Sequence, residues 1–274
     1  MTRATLSEVL KPCLRDGTAI VGMVVLGWED ARAYVRAAEA EGRPVILQAG
    51  PGCRTHTPLP VLGAMFRSLA EAASVSIVAH LDHGESLNIC RTAIDCGFTS
   101  VMYDGSALPL SENIARTAAV AAMARSFGAG VEAELGFVGY AGGVKGLGTD
   151  PAEVAQFWRE TGVDALAVSV GNVHLMQDAG AQIDMSRLAA ITAAAPNLPL
   201  VLHGGSGIAT DQRRALARTN ICKFNIGTEL RQAFGQALRA AVNRDATRFD
   251  RIALLSETEG PVTVAARAAI QSCR

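Results

Sequence analysis

The chain has 274 residues, of which 49% are hydrophobic and 19% charged, and its formal net charge at pH 7 is -1. This composition is typical of a soluble globular protein with a large core, and the balanced charge argues against a nucleic-acid or membrane partner. We therefore expect a single domain spanning residues 1–274.

The amino-terminal segment and the cysteines indicate where such a protein works. The first eleven residues lack a basic start followed by an apolar stretch, and no apolar run approaches the roughly 18 residues that cross a bilayer. The six cysteines include no CxxC pair, so they indicate neither a thiolate zinc site nor a disulfide framework. The sequence predicts a cytoplasmic protein with reduced thiols.

Eight short apolar runs alternate with alanine-rich amphipathic segments along the chain. The runs predict strands at residues 19–25, 44–49, 76–82, 100–104, 130–135, 164–170, 198–203 and 222–226. The segments between them predict helices at residues 29–41, 59–73, 86–96, 111–127, 151–161, 186–195 and 211–218. Residues 231–274 predict an eighth helix and a further C-terminal helix, with breaks at residues 245–250 and 257–261.

Strands that alternate with helices in this way predict an α/β fold with a parallel sheet. Eight such units in a chain of about 250 residues favour a closed (β/α)8 TIM barrel. The alternative is an open doubly wound sheet. That fold is expected to carry a GxGxxG turn after its first strand, and residues 22–27 do not supply one.

The active site of a barrel lies at the carboxyl ends of its strands, where this sequence is polar. The residues at the predicted ends are His80, Asp82, His83, Asp104, Ser106, Glu132, Glu134, Asn172, His174, His203, Ser206, Asn225 and Thr228. Any one histidine near a strand could be a core or surface group. Three histidines from three strand ends can meet at one point, and three neutral imidazoles are a catalytic zinc arrangement.

The set of His83, His174 and His203 favours zinc over magnesium, which prefers oxygen ligands. Beside it, Asp82 is a candidate general acid or base, or else a carboxylate that orients a ligand imidazole. Glu132 and Glu134 share one face of their strand, and because buried carboxylates are costly when unpaired, at least one should face the site. By contrast, His56 lies in a Thr- and Pro-rich loop and is expected to be solvated.

Two glycine-rich segments follow the last two predicted strands, at residues 203–207 and 225–228. Backbone N–H groups there, together with helix starts, form the phosphate site typical of barrels. A tight turn without a ligand is the alternative.

These segments together resemble class II fructose-bisphosphate and tagatose-bisphosphate aldolases over nearly the whole chain. HxDHG and ELG are the specific motifs. The similar segments are residues 44–50 (PVILQAG), 77–86 (IVAHLDHGES), 100–106 (SVMYDGS), 131–136 (VEAELG), 162–170 (GVDALAVSV), 200–207 (LVLHGGSG) and 222–230 (CKFNIGTEL). The resemblance implies that a metal ion polarises the carbonyl of dihydroxyacetone phosphate and stabilises its enediolate.

The resemblance also implies roles for particular residues. It implies Zn²⁺, or another divalent transition metal, on His83, His174 and His203, with Asp104 and Glu134 as supporting or alternative metal contacts. Asp82 would be the acid/base at the C4 hydroxyl, and Glu134 is a further catalytic candidate. The phosphate of a sugar-phosphate substrate would lie against Gly204, Ser206, Asn225 and Thr228. A monovalent cation beside the phosphate and a homodimer or homotetramer are usual in the family.

The sequence departs from the family pattern at four places. Leu175 replaces a glycine after the second histidine, Gly22–Val24 replaces a segment with an asparagine, and Gly50 replaces a serine. The loop after ELG lacks the acidic residue that removes the C3 proton. Tyr140 or Lys145 could take its place, although such loop residues are commonly only solvated.

Three functions stay open on the sequence. The first is an aldolase acting on a phosphorylated ketose, and the second a metal-dependent lyase, epimerase or isomerase for another hydroxy-carbonyl compound. The third is a metabolite-binding barrel without activity, against which the intact histidine set argues.

Overall fold

Eight parallel strands close into a barrel in the computed structural model, which describes residues 2–274. Met1, the first residue of the amino-terminal segment, lies outside the described residues. The barrel strands are β1 Ile20–Val24, β2 Val45–Ala49, β3 Ile77–Gly84, β4 Ser100–Tyr103, β5 Gly130–Leu135, β7 Ala165–Val168, β9 Leu200–Leu202 and β10 Ile221–Ile226. Their order is β1-β10-β9-β7-β5-β4-β3-β2. The predicted (β/α)8 barrel is therefore confirmed, and the open sheet is wrong.

Two more strands, β6 Gly139–Tyr140 and β8 Val173–His174, pair with each other outside the barrel. The helices are α1 Leu6–Asp16, α2 Trp28–Glu41, α3 Pro51–His56, α4 Leu59–Ala72, α5 Leu87–Asp95, α6 Leu110–Ser126, α7 Pro151–Thr161, α8 Met185–Ala194, α9 Thr210–Ala217, α10 Thr228–Arg244 and α11 Arg251–Gln271. A short 3-10 turn spans Gly205–Gly207.

The predicted helices are present, but the C-terminal region differs from the expectation. The break at residues 245–250 is confirmed, whereas the break at residues 257–261 is wrong because α11 continues through Pro261. Packing outweighs the lost backbone hydrogen bond: Val262 and Ala266 are buried. Glu259, also on α11, forms ion pairs with Arg32 and with Arg36 on α2. The eighth helix starts at Thr228, three residues before the expected start.

Helix α1 was not predicted, although its start carries a capping signal. Thr5 and Glu8 form a capping box, in which each side chain accepts a hydrogen bond from the other residue's backbone N–H. Leu6, Leu10 and Cys13 then pack against inward-facing strand residues at the amino end of the barrel, among them Ile20, Ile46, Val78 and Val201. Because α1 closes that end, the open mouth lies at the carboxyl ends of the strands.

All six cysteines are free thiols. Within residues 2–274, no helix has both the length and the apolarity required to cross a bilayer.

Candidate active site

A β-bulge at the end of β3 brings two neighbouring residues to the barrel mouth. Leu81 pairs with Val101 and Gly84 pairs with Tyr103, so Asp82 and His83 together stand opposite one residue of β4. Consecutive side chains of a regular strand point to opposite faces, and an extra residue breaks that alternation. His83 has a φ of 49°, in the left-handed region. The bulge thus allows Asp82 and His83 to line the same cavity.

Three histidine rings meet above the barrel. His83 comes from β3, His174 from β8 and His203 from the residue after β9. Their ring centroids are 4.8 Å apart for His83 and His203, 5.4 Å for His174 and His203, and 5.5 Å for His83 and His174. Each ring offers a nitrogen that lies within 4.8 Å of the other two. The structure therefore brings the three predicted ligands together, although His174 lies on a strand that was not predicted.

The surroundings of His203 determine which of its nitrogens faces this cluster. Nε2 lies 3.0 Å from Oε1 of Glu132, whose carboxylate can only accept, so Nε2 carries the hydrogen. Nδ1 is buried without a hydrogen-bond partner among the described residues, as is Oε2 of Glu134, which lies 3.7 Å from it. Buried polar atoms are normally paired. The lone pair on Nδ1 of His203 and the free Oε2 of Glu134 lie beside the imidazoles of His83 and His174. This set of donor atoms fits a divalent transition metal.

Carboxylates lie around the histidines and give the cluster a negative electrostatic potential. Asp104 Oδ2 lies 2.7 Å from Nδ1 of His83, and the hydroxyl of Ser106 donates to the other oxygen of Asp104. Burial lowers the pKa of His83, but Asp82, Asp104 and Glu134 outweigh this effect and raise it to about 10. His83, Asp104 and Glu134 form a second group with metal-ligand spacing. Asp104 and Glu134, the predicted supporting metal contacts, therefore form their group with His83, which also belongs to the three-histidine group.

Asp82 and Glu134 have opposite electrostatic surroundings. Burial would raise the pKa of Asp82, but the neighbouring His83, together with the charge of Lys223, holds it below the usual range. For Glu134, burial dominates and the pKa is raised. The side-chain amide of Asn225 donates to Oδ1 of Asp82 at 3.3 Å. One carboxylate is therefore poised to be ionised, and the other holds its proton more tightly than usual.

A buried polar chain lies beneath the histidines, and sequence reasoning missed its centre. Lys223 is fully buried, with Nζ 2.6 Å from Oε2 of Glu132 and 3.4 Å from Nε2 of His80. His80 Nδ1 reaches Oγ of Ser100 at 2.9 Å, and burial together with Lys223 lowers the pKa of His80 to about 3. His80 lies within β3 and not at its end, so its expected place at the mouth is wrong. A lysine between Cys222 and Phe224 in a buried strand was the available signal for this chain of contacts.

The loop that departs from the family pattern folds as a short hairpin. Phe137 and Leu147 form an antiparallel bridge, and Tyr140 pairs with His174 in the register of β6 and β8. The ring of Tyr140 stacks on the ring of His174, with centroids 4.8 Å apart and planes at 23°. Lys145 is exposed on the returning arm of the hairpin, just after the turn. Of the two candidate replacements for the acidic residue, Tyr140 is the one that lines the site cavity.

The proposed phosphate residues line the same cavity, of about 310 Å³, as Asp82, His83 and His174. Gly204, Ser206, Asn225 and Thr228 all contribute to its wall. Helix α10 starts at Thr228 in this wall, and the first N–H groups of a helix have no intrahelical partner. Leu175, at the position where the resemblance implies a glycine, also lines the cavity and has a φ of 60°. His56, as expected, is exposed, although it ends helix α3 and does not lie in a loop.

Comparisons with known proteins show which family the chain is similar to. A family model described as class-II fructose-bisphosphate aldolase matches residues 4–274. A fructose-bisphosphate aldolase of Streptococcus pyogenes serotype M3 is 36% identical over 245 residues, covering 87% of this chain and 83% of that protein. A 6-phospho-5-dehydro-2-deoxy-D-gluconate aldolase of Shouchella clausii is 36% identical over 262 residues, covering 92% of this chain and 88% of that protein. The crystal structure of the YdjI aldolase from Escherichia coli K12 superposes with a TM-score of 0.86 at 31% identity, covering 98% of this chain and 96% of that protein.

Proposed function

Because the chain belongs to the class II fructose-bisphosphate aldolase family, we propose that it is a metal-dependent aldolase that cleaves or forms a phosphorylated ketose. The observation that carries this proposal is the meeting of three histidines with Asp82 at the mouth of the barrel. The expected aldehyde-lyase class follows from the family.

Zinc, or another divalent transition metal, is the proposed cofactor. His83, His174 and His203 would hold it, with Asp104 and Glu134 as alternative contacts that share His83. Three imidazoles suit zinc better than magnesium. A bound cation would polarise the substrate carbonyl and stabilise the negative charge that develops on its oxygen. A monovalent cation beside the phosphate is a further expectation from the family.

Asp82 is the proposed acid/base for carbon–carbon cleavage. Its lowered pKa keeps it ionised at neutral pH, so it can accept the proton of the C4 hydroxyl as the C3–C4 bond breaks. The electron pair of that bond stays with the ketone half. Asn225 donates to the carboxylate and fixes its orientation. In the synthetic direction, the same carboxyl group returns the proton to the new hydroxyl.

The proposed phosphate site combines backbone and side-chain donors. Backbone N–H groups in the turn Gly205–Gly207 and at the start of α10 favour an anion, because the first N–H groups of a helix lack intrahelical partners. The N–H of Glu229 already donates to the hydroxyl of Ser206, which lies in that turn. Gly204, Ser206, Asn225 and Thr228 form the adjoining wall, and Arg231 adds a positive charge to the same cavity. The named substrates of two relatives, a fructose bisphosphate and a phosphorylated gluconate derivative, each carry a phosphate. We therefore propose a ketose phosphorylated at one end at least.

A retro-aldol screen tests the proposal. Purified zinc-loaded protein is incubated with a panel of ketose 1-phosphates and ketose bisphosphates, and release of dihydroxyacetone phosphate is measured. We expect cleavage of at least one compound, its loss after chelation and its return with added zinc. The absence of cleavage by zinc-saturated protein, or cleavage that survives complete chelation, would contradict the proposal.

One observation favours a second candidate, a metal-dependent epimerase or isomerase, or a lyase for another hydroxy-carbonyl compound. Residues 136–148 contain no Asp or Glu, so the loop offers no carboxylate to move the C3 proton. Such an enzyme would take the proton with a base outside this loop, and would exchange a substrate C–H for deuterium from D₂O without breaking a carbon–carbon bond. Mass spectrometry of recovered substrate separates the two functions.

Two further features are proposed from the family. We expect a homodimer or homotetramer and a cytoplasmic location, which size-exclusion chromatography with light scattering and cell fractionation can test.

A further inference from the structure

The bulge that carries Asp82 and His83 needs support from outside its own strand. His83 has a left-handed φ of 49°, and a non-glycine residue is strained in that region unless its surroundings hold it there. The bulge also interrupts the ladder between β3 and β4, which frees backbone carbonyl groups. Buried carbonyl groups need new partners. The carbonyls of Asp82 and His83 find theirs on α3.

Arg54 supplies both partners. Its Nη1 donates to the carbonyl of Asp82 at 2.6 Å, and its Nη2 donates to the carbonyl of His83 at 3.1 Å. Nη1 also lies 3.3 Å from the carbonyl of Ala49, so the guanidinium connects the ends of β2 and β3. Only 9% of the Arg54 side chain is exposed. A planar guanidinium can hold two neighbouring acceptors in one plane, which an ammonium group cannot do.

We propose that Arg54 is a positioning residue, which holds the bulge so that Asp82 and His83 both point into the barrel mouth. Arg54 acts through their backbone and not by touching substrate or metal. This role for Arg54 rests on the proposed function at one point only, namely that His83 binds a metal ion. Residues that orient a metal ligand commonly contribute about 10- to 100-fold in metal affinity.

Arg54→Ala and Arg54→Lys test this role. We expect Arg54→Ala to lower zinc affinity about 10- to 100-fold in a chelator competition. We also expect kcat to fall more than KM rises, because Asp82 moves as well. Arg54→Lys should recover only part of either loss. Guanidinium at millimolar concentration, below denaturing levels, should restore part of both in Arg54→Ala, whereas equal ammonium should not.

Glu85→Gln is the matched control. Glu85 accepts from Nη2 of Arg54 at 2.9 Å, but its side chain is 65% exposed, so it pairs with the same guanidinium from the solvent side and not through the carbonyls of Asp82 and His83. Losing this exposed ion pair should change zinc affinity and kcat little. An effect in Glu85→Gln as large as in Arg54→Ala would assign the role to the ion pair and overturn the proposal.

Hydrogen exchange in metal-free protein separates this proposal from the proposed function. Arg54→Ala should speed exchange at the amides of residues 82–84 and leave the amides of the other barrel strands protected. If the wild-type protein cleaves no sugar phosphate or binds no zinc, the proposed function fails while this measurement still decides the role of Arg54. Unchanged exchange at the bulge, or full zinc affinity in Arg54→Ala, would overturn it. A general loss of protection without guanidinium rescue would show a merely structural role.

Discussion

Nε2 of His203 and Oε1 of Glu132 lie 3.0 Å apart inside the barrel, and both side chains are fully buried. This contact leaves Nδ1 of His203 free to face His83 and His174. Glu132 also holds Lys223 at 2.6 Å, so one carboxylate orients a proposed metal ligand and neutralises a buried cation. Metal binding and stability are therefore linked through Glu132.

Glu132→Gln should lower both zinc affinity and stability. The amide can present its NH₂ group to His203 and disturb the tautomer, and the buried charge of Lys223 loses its partner, which typically costs about 3–5 kcal/mol. In the double variant Glu132→Gln/Lys223→Met, stability should largely return because no buried cation remains, while zinc affinity stays low. Urea unfolding and chelator competition measure the two effects. Recovery of zinc affinity in the double variant would contradict the role given to Glu132.

Asp82→Asn should abolish most turnover and keep the metal. The amide cannot accept the hydroxyl proton, and loss of a general acid/base typically lowers kcat about 100- to 10,000-fold. The three histidines remain, so zinc content should stay stoichiometric. Kinetics with the cleaved ketose phosphate, together with metal analysis of the same sample, test this expectation. Full turnover in Asp82→Ala would remove Asp82 from the mechanism.

Tyr140→Phe and Tyr140→Ala should differ. Burial and the neighbouring carboxylates of Glu134 and Asp104 raise the pKa of Tyr140, so its hydroxyl stays protonated at neutral pH and is a poor base. We expect Tyr140→Phe to retain the ring stacked on His174, and with it most of the activity. Tyr140→Ala loses the stack, so zinc affinity should fall. Lys145→Gln, at an exposed position of the same hairpin, is the control. Loss of turnover in Tyr140→Phe with intact zinc binding would instead make the hydroxyl catalytic.

The barrel could be predicted from sequence because its strands are apolar runs separated by helical periodicity. That pattern reflects burial, which each segment encodes locally. Helix α11 was predicted to break near Pro261 because local propensity disfavours proline. Its packing on α2, which includes the ion pair of Glu259 with Arg36, is tertiary and overrides that preference.

The site was predictable in its residues but not in how they are oriented. Asp82 and His83 were both expected at the mouth, yet strand alternation alone would point them apart. The bulge that reconciles them depends on pairing with β4 and on Arg54, 28 residues earlier in the chain. Lys223 was missed for a similar reason. A lysine in a buried apolar strand is stable only when its charge is paired, and its partner Glu132 lies on a strand distant in sequence.

Leu175→Gly should improve phosphate binding with little change in stability. Leu175 has a φ of 60°, which costs a non-glycine residue about 1–2 kcal/mol. Glycine removes that strain, but its chain entropy costs about 0.5–1 kcal/mol. Removing the side chain also opens the proposed phosphate wall, so KM for a ketose phosphate should fall. Leu147→Gly is the control: Leu147 is exposed and is not among the residues with positive φ, so the same substitution should destabilise. An unchanged KM would show that Leu175 does not crowd the phosphate.

Asp30 should make the stability of the metal-free protein depend on pH. Burial raises the pKa of Asp30 to about 6, although Oδ2 accepts a hydrogen bond from the N–H of Leu26 at 3.1 Å. Between pH 4 and 6 the folded protein binds more protons at Asp30 than the unfolded chain. The stability this group contributes is therefore full below its unfolded pKa and is lost as the pH rises through 6.

Asp30→Asn cannot ionise, so its stability relative to wild type should increase by on the order of 2 kcal/mol between pH 4 and pH 7.5. Urea unfolding of both metal-free proteins across this range measures the difference, with Glu71→Gln on the exposed side of α4 as the control. Parallel stability curves for wild type and Asp30→Asn would contradict a raised pKa, since only a group that titrates differently in the folded and unfolded states changes the gap between them.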